Sequence, residues 1–224
     1  MKKQLLAAAL TLSSFSFAST WEIDTAHASA NFSVKHLMVS TVKGNLGDVT
    51  GKIELDEKDT AKSTIEATID VKGINTKQPK RDEHLRSPDF FDVEKFPTMT
   101  FKSTKIPAFK LDAKKPTKVK VTGDLTMHGV TRSVVLDGEL SPEAANPWSG
   151  AKTRAFTAST KLNRKDFGLV WNKGLETGGV LVGEEVAVSI DAEFAIAAPK
   201  KEEAAPAPVK EEPKAAPAPA PAKK

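Results

Sequence analysis

The sequence predicts an all-β protein: one domain of eight antiparallel strands with one short helix, followed by a disordered C-terminal tail. Three observations predict it. Apolar and polar residues alternate with period two over most of residues 19–198. The alternating pieces are separated by Gly, Pro, Asn and Asp. The stretch between two compositionally distinct ends has the length of one domain and no internal repeat. Alternation with a wet face favours antiparallel over parallel pairing. From these residues alone a closed barrel and a sandwich both remain open. A closed barrel would remove exposed edges and could hold one ligand.

The elements follow in order. "MKKQLLAAALTLSSFSFAS" places Lys2 and Lys3 before an apolar run from Leu5 to Leu12, and Ser16-Phe17-Ala18 supplies small residues around a cut. This is the layout of a signal peptide over residues 1–18, with cleavage after Ala18, and the run is too short for a membrane helix. Export to a bacterial periplasm is the expected location, with no integral membrane segment in the mature chain. Short alternating pieces come next at Trp21/Ile23, Phe32/Val34 and Ile53/Leu55. Ile65, Ala67, Ile69 and Val71 alternate with Glu66, Thr68, Asp70 and Lys72. "PKRDEHLRS" (79–87) is the one good helix candidate, with Pro79 in the first turn and Arg86 near the end. Met99/Phe101, then Val119, Val121, Leu125 and Met127, then Val134/Leu136 continue the strands. A Thr-rich piece at 153–162 and the run Val186, Val188, Ile190, Ala192, Phe194, Ile196 complete them. A membrane-embedded barrel would also alternate, but the wet faces carry many Lys, costly at bilayer depth. Residues 199–224 hold seven of the chain's 14 prolines, and Val209 is their only aliphatic residue larger than Ala. Such a tail cannot bury enough apolar surface to offset its chain entropy. It reads as a solvated segment, or as a spacer tethering the domain to the cell wall or a partner.

Charge excludes one class of partner. The formal net charge of +4 comes from the ends, because residues 19–198 carry 25 basic and 25 acidic side chains. No basic footprint or motif for nucleic acid is present. The chain has no Cys, which excludes disulfides, thiol catalysis and cysteine metal sites. His27, His36, His84 and His128 show no metal-ligand spacing. Asp24 and His27 lie close together, without a serine arrangement to make a triad. Nothing in the sequence argues positively for catalysis, for a metal or for a cofactor.

What stands out is a set of stretches combining Phe with His or Arg: "FSVKHL" (32–37), "RDEHLRSPDFFDVEKFPTMTF" (81–101), "GDLTMHGVTR" (123–132) and "LNRKDFGLVW" (162–171). Phe90, Phe91, Phe96 and Phe101 fall within 12 residues of a chain that has 11 Phe and no Tyr. Either these groups plug a core or they line something that a ligand enters.

Those stretches, with the closing "VGEEVAVSIDAEF", resemble the YceI-like family in order and spacing over residues 20–197. "FFDVEKFPTMTF" followed by "LTMHGVTR" is the most diagnostic pair. The tail is not part of the resemblance. The resemblance implies a lipocalin-like antiparallel eight-stranded barrel whose interior holds a long-chain isoprenoid lipid, a polyisoprenoid or an isoprenoid quinone, as ligand. Phe90, Phe91, Phe96 and Phe101 would then cap and line the tunnel with Phe32, Val34, Leu125, Met127, Phe167 and Leu169. Each buried methylene is worth ~0.8 kcal/mol, so such a lipid does not cross water unescorted. His36, Arg81, His84, His128 and Arg164 are the expected head-group donors, with Asp82 and Asp166 orienting the cations, and Arg86 and Arg132 as substitutes. Two other functions compete: an enzyme or accessory factor using His84 with Asp82, or His128; and a stress or host-interaction scaffold without an obligate lipid. A homodimer through barrel-end phenylalanines is compatible with the spacing.

Overall fold

The computed structural model describes residues 18–196 apart from Thr177. The expected signal peptide, apart from its last residue Ala18, and the tail lie outside those residues. Ten strands form: β1 (Ser19–His36), β2 (Ser40–Asn45), β3 (Asp48–Leu55), β4 (Thr64–Asp70), β5 (Thr98–Lys105), β6 (Thr117–Met127), β7 (Val130–Leu140), β8 (Ala144–Ala145), β9 (Lys152–Asn163) and β10 (Val182–Ile196). Eight of them close a circuit, β1-β3-β4-β5-β6-β7-β9-β10 and back to β1, with every pairing antiparallel. The sandwich alternative is thereby removed, and the barrel has no free edge along this circuit.

The two strands outside the circuit are short. β2 prolongs the lane of β3 beside the second half of β1, and β8 pairs with the start of β9. β2 reads "STVKGN" and has a single large apolar residue, so period-two alternation does not reveal it. The pieces at Trp21/Ile23 and Phe32/Val34 are two halves of one strand. The pairing of β1 with β10 slips between Ile23 and Ala28. A bulge there leaves Asp24 to His27 exposed, which interrupts the apolar pattern without ending the strand.

Period two puts one face of each strand inward. On β6 these residues are Val119, Val121, Gly123, Leu125 and Met127, all buried. The interior divides into two clusters. One, around Trp21, Val121, Leu136, Phe156 and Phe194, seals one end of the barrel. Trp21 and Phe194 meet edge to face at 5.6 Å, and the buried Arg154 guanidinium lies 5.6 Å over the Trp21 ring. The other cluster, around Phe32, Leu46, Phe90, Phe91, Met127 and Phe167, fills the opposite end less completely.

Rings reach into the barrel because glycines face them. A Cβ on Gly123 would sit 2.4 Å from the Phe101 ring, and one on Gly44 would sit 2.7 Å from the Phe32 ring. Glycine in a strand interior is justified by such close approach.

Helix α1 (Pro79–Arg86) covers the looser end. Pro79 opens it, and the Gln78 side chain caps it by accepting from the Arg81 N–H at 2.7 Å. The following Phe-rich segment is neither helix nor strand. It folds into consecutive turns in which Phe90 N–H bonds Ser87 O, Phe91 N–H bonds Leu85 O and Phe96 N–H bonds Asp92 O. These turns aim Phe90, Phe91 and Val93 into the core. Near the same end β7 and β9 separate, since they pair only over Asp137–Leu140 and Phe156–Ser159. Phe167, from a 3-10 turn at Arg164–Phe167, is buried in that end of the barrel.

Candidate functional site

The looser end contains an unfilled apolar interior. An inner cavity of about 80 Å³ is lined by Phe32, Val34, Leu46, Leu85, Phe90, Phe91, Met99, Met127, Leu162, Leu169, Val182, Val186 and Val188, with Arg164 the single polar residue. An adjoining cavity of about 210 Å³ shares Phe32, Val34, Leu85, Phe90 and Val182. Its remaining lining, Lys35, His36, Val42, Arg81, His84, Trp171 and Leu181, changes from apolar to cationic. Strand alternation builds the inner wall. The polar rim comes from two elements: α1 supplies Arg81 and His84, and the end of β1 supplies Lys35 and His36. At the sealed end the corresponding void is only about 30 Å³.

Three rings stand at the mouth. His84 meets Phe90 at 5.0 Å and Trp171 at 4.8 Å, both edge to face, and Phe90 and Trp171 lie 5.3 Å apart. The other side of the imidazole is held by Asp89, 2.8 Å from Nε2. The His84 ring is thereby fixed at the rim, and an apolar chain passing the mouth meets aromatic faces on two sides.

The expected apolar residues divide by position. Phe32, Val34, Phe90, Phe91, Met127 and Leu169 line the cavities. Leu125 and Phe167 are buried in the surrounding core, and Phe101 is half-buried between the two clusters. Phe96 takes a different place. It packs on the β6–β7 turn, 4.9 Å from the His128 ring and against Gly129.

The expected polar residues divide further. His36, Arg81 and His84 lie at the mouth. Arg81 bonds Thr76 through Nε to the hydroxyl (2.7 Å) and through its terminal nitrogen to the carbonyl (3.0 Å). Asp82 does not meet Arg81. It is buried and accepts from the Thr76 N–H at 2.8 Å and from its hydroxyl. The two side chains are linked through Thr76, which anchors α1 to the preceding loop. His128 sits in the β6–β7 turn at φ 51, followed by Gly129 at φ 73, and its Nδ1 is 3.3 Å from Phe167 O. Two consecutive left-handed residues are what a tight hairpin requires, so His128 holds the turn to the Phe167 segment. Arg86 bonds Ile74 O, and Arg132 is exposed on β7.

Arg164 is the least expected. The residue is 5% exposed, and its guanidinium bonds three carbonyls: Gly183 O through Nε at 2.9 Å, Val182 O at 3.3 Å, and Leu169 O. Asp166 is exposed and does not pair with it. Burial pushes the guanidinium pKa below its ordinary value, and Glu184 acts in the opposite sense. Arg164 therefore ties the loop after β9 to the start of β10 beside the inner cavity, at the mouth end of the barrel. Sequence reasoning passed over Trp171 as a site residue, although it ends the "LNRKDFGLVW" stretch; its counterpart rings, His84 and Phe90, lie about eighty residues away in sequence, and no periodicity connects them.

The sequence profile of the YceI-like domain matches residues 21–194. The chain belongs to the YceI-like family. A UPF0312 protein of Staphylococcus aureus is 37% identical to this YceI-like chain over 178 residues, covering 80% of this chain and 98% of that one. Among solved structures, the YceI protein of Campylobacter jejuni superposes with a TM-score of 0.59 at 32% identity, covering 73% of this chain and 90% of that one. A polyisoprenoid binding domain from Saccharophagus degradans gives a TM-score of 0.60 at 16% identity over 79% of this chain and 98% of that one. This last likeness shows a shared fold.

Proposed function

We propose that this YceI-like protein is a periplasmic binding protein that carries or sequesters a long-chain isoprenoid amphiphile inside its barrel. The observation that carries the reading is an unfilled apolar interior, open at one end beside Lys35, His36, Arg81 and His84. An apolar wall favours a hydrocarbon chain in proportion to the area removed from water. A cationic rim favours an acidic or oxygen-bearing head group. The name of the Saccharophagus protein, a polyisoprenoid binding domain, supports the same ligand class. The signal-like N-terminal sequence supports an exported location.

At about 80 and 210 Å³ the two cavities fall below the ~300–1,000 Å³ usual for ligand pockets. A chain of tens of carbons therefore enters by displacing the rings at the mouth, Phe90 and Trp171 first. The head group rests against Arg81 and His84, while Arg164 braces the cavity wall. The test is native purification of the full chain from its source, organic extraction and mass spectrometry. A stoichiometric isoprenoid lipid is expected. An empty protein that also takes up no isoprenoid alcohol or quinone in vitro would refute the carrier reading.

A further inference from the structure

A carrier must meet its cargo at a surface, and the mouth of the cavity has an unusual one. β1 and β2 are joined by Leu37-Met38-Val39, a tip of three apolar residues that are 39%, 56% and 82% exposed. Leu37 and Met38 adopt φ 53 and 61, a backbone region in which Gly, Asn and Asp are the favoured turn residues. Three large apolar side chains thus occupy a turn whose geometry favours small or polar ones. They do not pack into the core, so folding alone does not account for them.

The tip adjoins the mouth. Its flanking residues Lys35 and His36 line the outer cavity, and the Leu37 N–H bonds Leu181 O at 2.8 Å, Leu181 being a lining residue as well. Val170, 62% exposed, is next in sequence to Trp171 of the mouth. Cations surround this apolar group. Lys35 and Arg81 are exposed at the mouth, Lys43 is exposed on β2, and the Lys173 carbonyl accepts from the Leu181 N–H. None of these four pairs with a carboxylate among the described residues. The acidic groups nearby are Glu176 in the same loop as Lys173, Glu83 on α1, Asp89, which His84 holds, and Glu184, which Lys165 holds.

We propose that Leu37-Met38-Val39 is a membrane-docking prong, which inserts into an anionic bilayer while Lys35, Lys43, Arg81 and Lys173 engage its head groups and the cavity mouth faces the lipid. An exposed apolar tip within a cationic surround is the pattern of interfacial binding, where buried apolar area and attraction to anionic lipid act together. It places the mouth at the bilayer surface, so the cargo chain passes between bilayer and barrel with little contact with water. The inference rests on the carrier reading for its purpose, and on the tip alone for its geometry.

The test is flotation of the full chain with vesicles of phosphatidylglycerol and phosphatidylethanolamine. The wild type floats with them, less at high salt. Met38→Asp with Val39→Asp lowers the bound fraction roughly tenfold or more, and the milder pair Met38→Gln with Val39→Ser lowers it less. Trp148→Ala serves as control, since Trp148 is exposed near the sealed end, and it floats as wild type does. In parallel, each protein is offered a fluorescent isoprenoid alcohol diluted from ethanol, and the tip variants take it up like wild type. Tip variants that float like wild type overturn the proposal. A wild type that takes up the alcohol but ignores vesicles overturns the docking surface and leaves the carrier reading standing. A wild type that floats through its tip but takes up no isoprenoid supports the docking surface and overturns the carrier reading instead.

Discussion

Replacing Arg164 by Met tests whether this residue braces the cavity wall or waits for a head group. Met keeps much of the apolar stem and removes the guanidinium. Three carbonyls lose a donor, but Val182 O keeps a second one, the Asn172 side-chain amide at 2.7 Å. Two carbonyls, Gly183 O and Leu169 O, lose the donor that Arg164 gave them. Each orphaned buried polar group costs about 1–3 kcal/mol. Part of that is offset, because a buried cation no longer has to be kept out of water. The expected net loss is ~3 kcal/mol. For a domain of this size each kcal/mol lowers Tm by roughly 2–4 °C, so Tm falls by about 6–12 °C. Urea unfolding monitored by tryptophan fluorescence, with differential scanning calorimetry, measures both quantities. A loss below about 1 kcal/mol, combined with a large drop in isoprenoid affinity, would refute the reasoning. Arg164 would then be a head-group ligand and not the brace inferred from its three carbonyl bonds.

Other outcomes follow from the same geometry. Val188→Trp fills the inner cavity, and uptake of an isoprenoid alcohol falls at least tenfold while the protein still folds, at an overpacking cost of about 1–3 kcal/mol; equilibrium unfolding and uptake titrations check the two parts. Gly44→Val drives its side chain into the Phe32 ring and Thr76, lowering stability by about 1–3 kcal/mol, and unchanged unfolding would show that the ring moves freely. Arg81→Ala with His84→Ala weakens binding of an acidic-headed isoprenoid by roughly tenfold, about 1.4 kcal/mol, and leaves binding of the matching hydrocarbon unchanged in the same titration. His27 and Asp24 titrate as an exposed pair. The bond to Asp24, then its charge, raises the His27 pKa above 6.5, and the bond to His27, then the Ala26 N–H, lowers that of Asp24 below 3.8. The histidine's contribution is complete below pH 6.5 and disappears as pH rises through its folded value, while the aspartate's is present above 3.8 and disappears as pH falls through its own. The pair is therefore at full strength between those limits. A proton NMR titration of the His27 ring should show the raised value in wild type and a lower one in Asp24→Asn.

Several features of this protein could be read from the chain itself. Period-two alternation marked the inward face of β6 and β10 because a pleated strand sends successive side chains to opposite sides, whatever surrounds it. Pro79 and Arg86 marked α1 through backbone and dipole effects that act within one turn. The concentration of Phe at 90–101 announced a buried apolar cluster, since so much aromatic surface must be buried somewhere. The remainder was decided by tertiary structure. Phe96 and Phe101 lie in the same stretch as Phe90, yet the turns after α1 send Phe96 to His128 and leave Phe101 between two clusters. Arg81 and Asp82 are adjacent in sequence, yet both turn to Thr76. Arg164 looked like a head-group donor and is bonded to carbonyls brought beside it by the start of β10. Trp171 joins His84 and Phe90 only because the barrel closes. Local patterns record which face a residue occupies. Which groups share that face depends on register, bulges and the closure of the sheet, and these are set by contacts between residues far apart in sequence.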